Sequence, residues 1–220
     1  MLPKIQPALS EYYTDNAEPL SSLLFESIWD KFSGSDIQLK NNVRPITPKI
    51  LDLGSAQPES FNFYSQHDCY ITIADCIQEL IALTWPKTDK PNSDLSDKIQ
   101  EIINTALPRA DIKYDVILLW DSLNYIQPKI LPFIHNYLLK FTSTKTIVHG
   151  FLLTSESCPK QNGIFKILSA KQIHHSLVTT EIVQHSPLTP ITINKVMPNF
   201  KYSRAVLMRS GLQEFMLTRL

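Results

Sequence analysis

Two carboxylates stand where short apolar runs end, and they are the residues best suited to binding chemistry. Asp52 lies in the run 50–53, and Asp75 directly follows the run 70–74. Both runs are short, apolar and bounded by polar or turn residues, which predicts buried parallel strands. The carboxyl ends of parallel strands meet at one edge of a sheet, where Asp75 could accept two hydrogen bonds from a ribose diol. The pattern therefore predicts a nucleotide-like ligand at this edge.

A turn of small residues follows the first run and could approach such a ligand closely. Gly54 has no Cβ, so it permits a tight turn or a close backbone contact, and Ser55 and Ala56 are also small. Pro58 suits the first turn of a helix predicted over 59–66. The free N–H groups at the start of this helix would point towards the ligand.

A third apolar run is followed by a further carboxylate. Residues 116–120 are continuously apolar, which predicts a central buried strand. Asp121 comes next and could orient a substrate or act as a general base, or it could cap the helix that follows. Both interpretations stay open, and Trp120 is interpreted as core or as a pocket wall.

These stretches resemble the class I S-adenosylmethionine-dependent methyltransferases. In that family an acidic strand end is followed by Gly-x-Gly-x-Gly, and the matching positions here are Gly54, Ala56 and Pro58, so only the first glycine is kept. The family also commonly has Leu-Pro, then an aromatic-Asp-Val-Ile strand, then Asp-x-Leu-x-Tyr. This chain has Leu-Pro at 107–108, and the other two patterns fall within 114–125.

The resemblance implies S-adenosylmethionine as the cofactor. The loop after Asp52 would hold its methionine part, Asp75 its ribose, and Asn104 its adenine. Asp is more usual at the position of Asn104, but an amide also offers a donor and an acceptor. The predicted cofactor-binding residues are Asp52, Gly54, Ser55, Ala56, Asp75, Cys76, Asn104, Thr105 and Trp120, and Asp121 is the predicted catalytic residue.

The resemblance also implies the fold: an α/β three-layer sandwich with a mostly parallel sheet, helices on both faces and a C-terminal antiparallel hairpin. The hairpin is predicted over 200–217, with its turn at Ser210 and Gly211. A strand is predicted over 145–153, and 164–183 is interpreted as an inserted hairpin or lid. The third parallel strand that the family would have is represented only by Ile102 and Ile103.

The chain is predicted to divide into an N-terminal helical extension or cap over 1–45 and a methyltransferase-like domain over 46–220. Apolar residues at helical spacing predict a helix over 19–32, which Gly34 would end. Further helices are predicted over 76–84, 95–103 and 127–141, and Thr192 is predicted to cap a short helix over 193–197.

Composition excludes several classes of protein. The 220 residues carry 21 basic and 21 acidic side chains, and a net charge of zero makes nucleic acid an unexpected partner. Three cysteines, no apparent signal peptide and no membrane-length apolar run lead us to expect a cytoplasmic protein without a membrane partner. No metal site is predicted, because the adjacent His174 and His175 would face opposite sides of a strand and have no third ligand.

Three functions remain in view from the sequence. The first is an S-adenosylmethionine-dependent methyltransferase acting on a small molecule or a protein. The second is a catalytically inactive methyltransferase-like binding or scaffold protein, which the loss of two motif glycines favours. The third, an NAD(P)-dependent oxidoreductase, is weak because the chain has no Gly-x-Gly-x-x-Gly. The acceptor and the oligomeric state cannot be inferred.

Overall fold

A computed structural model of the protein describes residues 18–33, 47–85, 93–106 and 112–220. Its main sheet contains six strands: β2 (Lys49–Asp52), β3 (Tyr70–Ile73), β4 (Tyr114–Trp120), β5 (Thr142–Leu153), β10 (Phe200–Leu207) and β11 (Leu212–Arg219). Their spatial order is β10-β11-β5-β4-β2-β3. The four strands β3, β2, β4 and β5 are parallel to one another. Strand β11 lies between β5 and β10 and is antiparallel to both.

Helices cover both faces of this sheet. They are α1 (Leu23–Ser33), α2 (Pro58–Ser65), α3 (Ile77–Ala82), α4 (Ser93–Ala106), α5 (Leu131–Leu138) and α6 (Pro190–Val196). Phe25 and Ile28 of α1 lie against Val116 and Leu118 of β4, whereas Leu119 faces α3 and α5 on the other side. This alternation is what a strand buried on both faces requires. The chain therefore has the predicted α/β three-layer sandwich, with a mostly parallel sheet and a C-terminal antiparallel hairpin.

Five short strands lie outside the main sheet. They are β1 (Leu20–Ser21), β6 (Ser157–Pro159), β7 (Ile164–Ser169), β8 (Gln172–Ser176) and β9 (Ile182–Gln184). The first joins an inserted hairpin to form a sheet of order β1-β8-β7, and β6 pairs with β9. The extended segment predicted within 164–183 is therefore confirmed as a hairpin, and it closes over the carboxyl edge of the main sheet.

The predicted C-terminal hairpin is confirmed. Its turn contains Gly211, which has a φ of +80°, a value that glycine adopts without strain. The helix predicted over 19–32 is present as α1, but it begins only at Leu23, because Leu20 and Ser21 pair with β8 as strand β1. Its residues Leu24, Phe25 and Ile28 are almost fully buried. Gly34 and the predicted domain boundary between 45 and 46 lie outside the described residues, so that division stays a prediction.

Three sequence predictions are wrong in detail. Ile102 and Ile103 lie in α4 rather than in a third parallel strand, so among the described residues the main sheet ends at β3. Their spacing fits the amphipathic face of a helix, along which Ile103 is buried. Helix α5 begins at Leu131 rather than near residue 127. The N-cap of α6 is Thr189, whose hydroxyl accepts the Thr192 N–H.

No helix in the part of the chain that the structure describes is long and apolar enough to span a membrane.

Candidate functional site

Two cavities adjoin at the carboxyl edge of the sheet, and both are lined by Asp75. The first, of about 280 Å³, lies beside Gly54 and Trp120 and beneath the inserted hairpin. The second, of about 340 Å³, lies between the end of β3 and helix α4, and its apolar wall includes Ile73 and Ile102. Asp75 stands at their junction because β3 ends directly before it. This arrangement could hold a ligand with two parts joined near a carboxylate.

The side chain of Asp75 is exposed and makes no hydrogen bond to another described residue. Partial burial raises its pKa above the ordinary value of 3.8, and the neighbouring Glu79 charge raises it further. The group still faces solvent, so its two oxygens remain available as acceptors. Both oxygens are therefore placed to accept hydrogen bonds from a pair of hydroxyl groups.

The carboxylate of Asp52 is turned into the protein and does not line either cavity. Its Oδ1 accepts hydrogen bonds from the Gly54 N–H at 2.9 Å and the Trp120 indole N–H at 2.6 Å, and its Oδ2 accepts one from the Tyr64 hydroxyl at 3.0 Å. Burial raises the pKa of Asp52 above its ordinary value, although these three hydrogen bonds act in the opposite direction. Asp52 therefore fixes the loop and the indole that form the cavity wall.

The indole of Trp120 packs directly against Gly54, which is possible because Gly54 has no side chain. A Cβ at Gly54 would lie 2.6 Å from the indole Cδ1 and Nε1 atoms. The φ of Trp120 is +50°, an uncommon and strained value for a bulky residue. Gly150 on β5 accommodates this backbone, because a Cβ there would lie 2.6 Å from the Trp120 carbonyl oxygen. The strand end is thus held in an unfavourable conformation at the edge of the cavity.

Asp121 is buried behind this wall rather than lining the cavity. Its Oδ2 accepts the Gly163 N–H at 2.9 Å, and its Oδ1 has no hydrogen-bond partner. Burial raises the pKa of Asp121 to about 7, although the hydrogen bond from Gly163 acts against this rise. In this conformation the carboxyl group holds the segment that leads into β7. Asp121 stands at the N-cap position of the short 3₁₀ helix Ser122–Asn124, but its side chain makes no capping hydrogen bond to that helix.

His175 on β8 is a site residue that sequence reasoning did not assign. Its Nε2 lies 4.0 Å from Asp121 Oδ2, and burial lowers its pKa to about 3. Its ring stacks on Phe165 at 4.2 Å between centroids and packs so close to Gly163 that a Cβ there would clash. Strand alternation could have indicated that one of the adjacent histidines points inwards, but not which element it meets.

The remaining predicted cofactor residues divide between the cavities and the surface. Ser55 lines the first cavity and Cys76 the second, whereas Ala56 is exposed and lines neither. Thr105 lines the second cavity and also an open depression on α4, where Asn104 lies. Asn104 is therefore not brought together with Gly54 or Asp75, and its role towards adenine stays a prediction.

A second buried polar cluster lies away from both cavities. Glu214 on β11 accepts hydrogen bonds from His149 Nε2 at 2.8 Å, from the Ser22 hydroxyl, and from the backbone N–H groups of Leu24 and Phe25. Burial would raise the pKa of Glu214, but these hydrogen bonds outweigh it and hold the pKa below its ordinary value. The carboxylate thereby ties the start of α1 to the sheet.

Comparison with known proteins gives matches only at the level of structure. A scan of protein-family models finds no match, and neither does a search of curated proteins. The 1,6-didemethyltoxoflavin-N1-methyltransferase of Burkholderia thailandensis, with bound 1,6-didemethyltoxoflavin and S-adenosylhomocysteine, matches at 11% identity and a TM-score of 0.42. The match covers 94% of this chain and 98% of that one.

Two further matches are of the same kind. The glycopeptide N-methyltransferase MtfA complexed with sinefungin is 8% identical, with a TM-score of 0.45 and coverage of 94% and 99%. A TehB-like SAM-dependent methyltransferase from Corynebacterium glutamicum is 11% identical, with a TM-score of 0.39 and coverage of 90% and 97%. The neighbours are S-adenosylmethionine-dependent methyltransferases, but such low scores identify neither a family nor an activity for this chain.

Proposed function

We propose that this protein binds S-adenosylmethionine at the carboxyl edge of its sheet and transfers the methyl group to a small-molecule or protein acceptor. The observation that carries the proposal is the position of Asp75, whose available carboxylate stands where the two cavities adjoin. A ribose there would place a base in one cavity and a 5′-substituent in the other.

The residues around Asp75 fit the parts of this cofactor. Ile73, Cys76 and Ile102 form an apolar wall suited to the faces of an adenine ring. Gly54 and Ser55 line the other cavity, where the methionine part would lie. Trp120 already contacts Gly54, so the indole would form one side of this space.

S-adenosylmethionine, when bound, supplies an electrophilic methyl group. The contribution of this chain is to hold and orient the two reactants and to exclude water. The inserted hairpin excludes water from the first cavity, where Phe165 and Ile164 form the wall opposite Gly54 and Ser55. Asp121 would contribute by holding Gly163, and thus the hairpin, in place.

Calorimetric titration with S-adenosylmethionine tests the proposal. The wild-type protein should bind it, and Asp75→Ala should weaken binding by at least tenfold, because two hydrogen bonds to the ribose are lost. Asp68→Ala is the matched control, since it removes the same charge from the amino end of the same strand. An equal effect of both variants, or no binding at all, would contradict the proposal.

The second candidate is a binding protein that does not transfer methyl groups, and the burial of Asp121 favours it. This carboxyl group is 2% exposed and is separated from the cavity by Gly163, so it cannot act as a base on an acceptor in this conformation. Incubation with S-adenosylmethionine labelled in its methyl group, in the presence of a small-molecule extract, separates the two functions. Labelled products support the enzyme, whereas tight binding without any labelled product supports the binding protein.

A further inference from the structure

The first cavity has a roof formed by the inserted segment, and this roof determines what could reach a bound methyl donor. The roof consists of residues 162–165 together with Val178. Across the cavity from it lie Gly54, Ser55 and Asp75, on the ends of the main-sheet strands. Any acceptor must therefore bind between the hairpin and the sheet edge.

The roof is attached to the rest of the protein at several separate points. Gly163 donates its N–H to Asp121, and the Ile167 N–H donates to the Ser60 hydroxyl at 3.0 Å. Gln78 donates its amide N–H to Asn162 Oδ1 at 2.6 Å across one side of the cavity. The other strand of the hairpin, β8, pairs with β1. These attachments reach four separate parts of the chain, and two of the partners, Asp121 and Ser60, are buried. The roof is therefore a fixed wall rather than a loosely held loop.

The apolar part of the roof is held in a fixed position. The rings of Trp120 and Phe165 stack with centroids 5.1 Å apart and an angle of 13° between them. Phe165 also stacks on Phe151 and His175, with angles of 3° and 11°. This stack leaves Phe165 only 5% exposed, so its ring supports the roof and does not offer an open face to a ligand. Ile164 and Val178 beside it give the cavity an apolar wall.

The charge of the cavity is acidic or neutral. Among the described residues that line it, Asp75 is the only ionisable one, and none is Lys, Arg or His. The other polar side chains are Ser55, Gln78 and Asn162, which are neutral. An anionic acceptor would lose its hydration here and gain no opposite charge from the side chains, which is unfavourable. The ammonium and carboxylate groups of a bound S-adenosylhomocysteine balance each other and do not change this.

From these observations we infer that the acceptor is a small neutral or cationic molecule with a compact apolar part, bound beneath the hairpin. The inference rests on the proposed function and narrows its acceptor. A cavity of about 280 Å³ that must also take the methionine end of the cofactor has the size for a small molecule, whereas a folded protein or a nucleic acid could enter it only with a single side chain or base. Because the cavity wall has no cationic side chain among the described residues, it disfavours acceptors that carry a phosphate or a carboxylate group.

The test uses three bicyclic probes of matched size on the full-length protein. They are quinoline, which is neutral, N-methylquinolinium, which is cationic, and 2-naphthoate, which is anionic. Binding to the protein loaded with S-adenosylhomocysteine is followed by saturation-transfer NMR and competition. We expect quinoline and N-methylquinolinium to bind, and 2-naphthoate to bind at least tenfold more weakly.

Two variants connect this selectivity to the cavity. Gln78→Lys places a cation in the wall, so it should strengthen 2-naphthoate binding and weaken N-methylquinolinium binding by about tenfold each. Gln184→Lys is the control, because it adds the same charge at an exposed residue of β9 that does not line the cavity. Ile164→Ala should weaken quinoline binding severalfold, since it removes part of the apolar wall.

Binding of S-adenosylhomocysteine is measured first, so that a failure of the proposed function is recognised separately. If that ligand binds, three results would each overturn the inferred acceptor class: no probe binds, 2-naphthoate binds best, or Gln78→Lys leaves the order unchanged. Transfer of a labelled methyl group to an intact folded protein would also overturn it.

Discussion

Replacement of Asp121 by Asn should stabilise the protein at neutral and alkaline pH. The pKa of this buried carboxyl group is raised from its ordinary value of 3.8 to about 7, chiefly by burial. A group whose pKa is higher in the folded state binds its proton more tightly there, so stability falls as the pH rises from about 4 to about 7. At about 1.4 kcal/mol per pH unit, the ionised form costs on the order of 4 kcal/mol above pH 7.

The net gain from Asp121→Asn should be smaller than this full cost. The amide oxygen can still accept the Gly163 N–H, but the amide NH₂ takes the place of Oδ1, which has no partner. An unsatisfied buried donor costs about 1–3 kcal/mol, so we expect a gain of about 2 kcal/mol at pH 8. Near pH 4 the gain should disappear, and Asp121→Asn should be equal to or less stable than the wild type.

Urea unfolding followed by circular dichroism at pH 4.5 and pH 8 measures this difference. His175 gives the free energy of unfolding the opposite pH dependence. Burial lowers its pKa to about 3, so its contribution to stability is lost as the pH falls below 6.5. The difference between the two proteins therefore measures Asp121 together with its coupling to His175, which lies 4.0 Å away. Equal destabilisation of the variant at both pH values would refute the reasoning about its burial.

Three further predictions concern one residue that ties α1 to the sheet and two that hold the site in shape. Glu214→Ala should lower the free energy of unfolding by about 3–5 kcal/mol, because it leaves His149 and the start of α1 without their buried partner, as urea titration would show. Because the pKa of Glu214 is lowered, its stabilising contribution is present above pH 4.5 and lost as the pH falls through the lowered pKa. Gly54→Ala should cost about 1–3 kcal/mol and alter indole fluorescence, because the added methyl group would displace Trp120. Gly163→Ala should weaken the roof by displacing His175, and proteolysis within 160–180 should become faster than in the wild type.

The sheet could be predicted from sequence wherever a strand is buried on both faces or paired in a hairpin. The run at 116–120 and the hairpin about Gly211 carry strong local signals, and both are confirmed. Ile102 and Ile103 mislead because two adjacent isoleucines fit either a short strand or the buried face of a helix. The residues that pack against them in the folded chain determine that they lie in the helix α4, and local sequence does not encode those contacts.

The carboxylates at the strand ends could also be located from sequence, but their orientation could not. Asp52, Asp75 and Asp121 all follow or end strands at the same edge, as predicted. Only Asp75 faces the cavities. Asp52 is held by Trp120 and Asp121 by Gly163, and both contacts join residues far apart in the chain. Such contacts depend on a strained strand end and an inserted hairpin, neither of which has a periodic signal.

The central claim is that an adenosine-containing cofactor binds about Asp75, between the two cavities. Amide chemical-shift mapping during titration with S-adenosylmethionine tests it most directly. We predict that the largest changes fall on Gly54, Asp75 and Cys76, at the carboxyl ends of β2 and β3. Changes confined to the opposite ends of these strands, near Asp68 and Tyr70, or no changes at saturating cofactor, would contradict the claim.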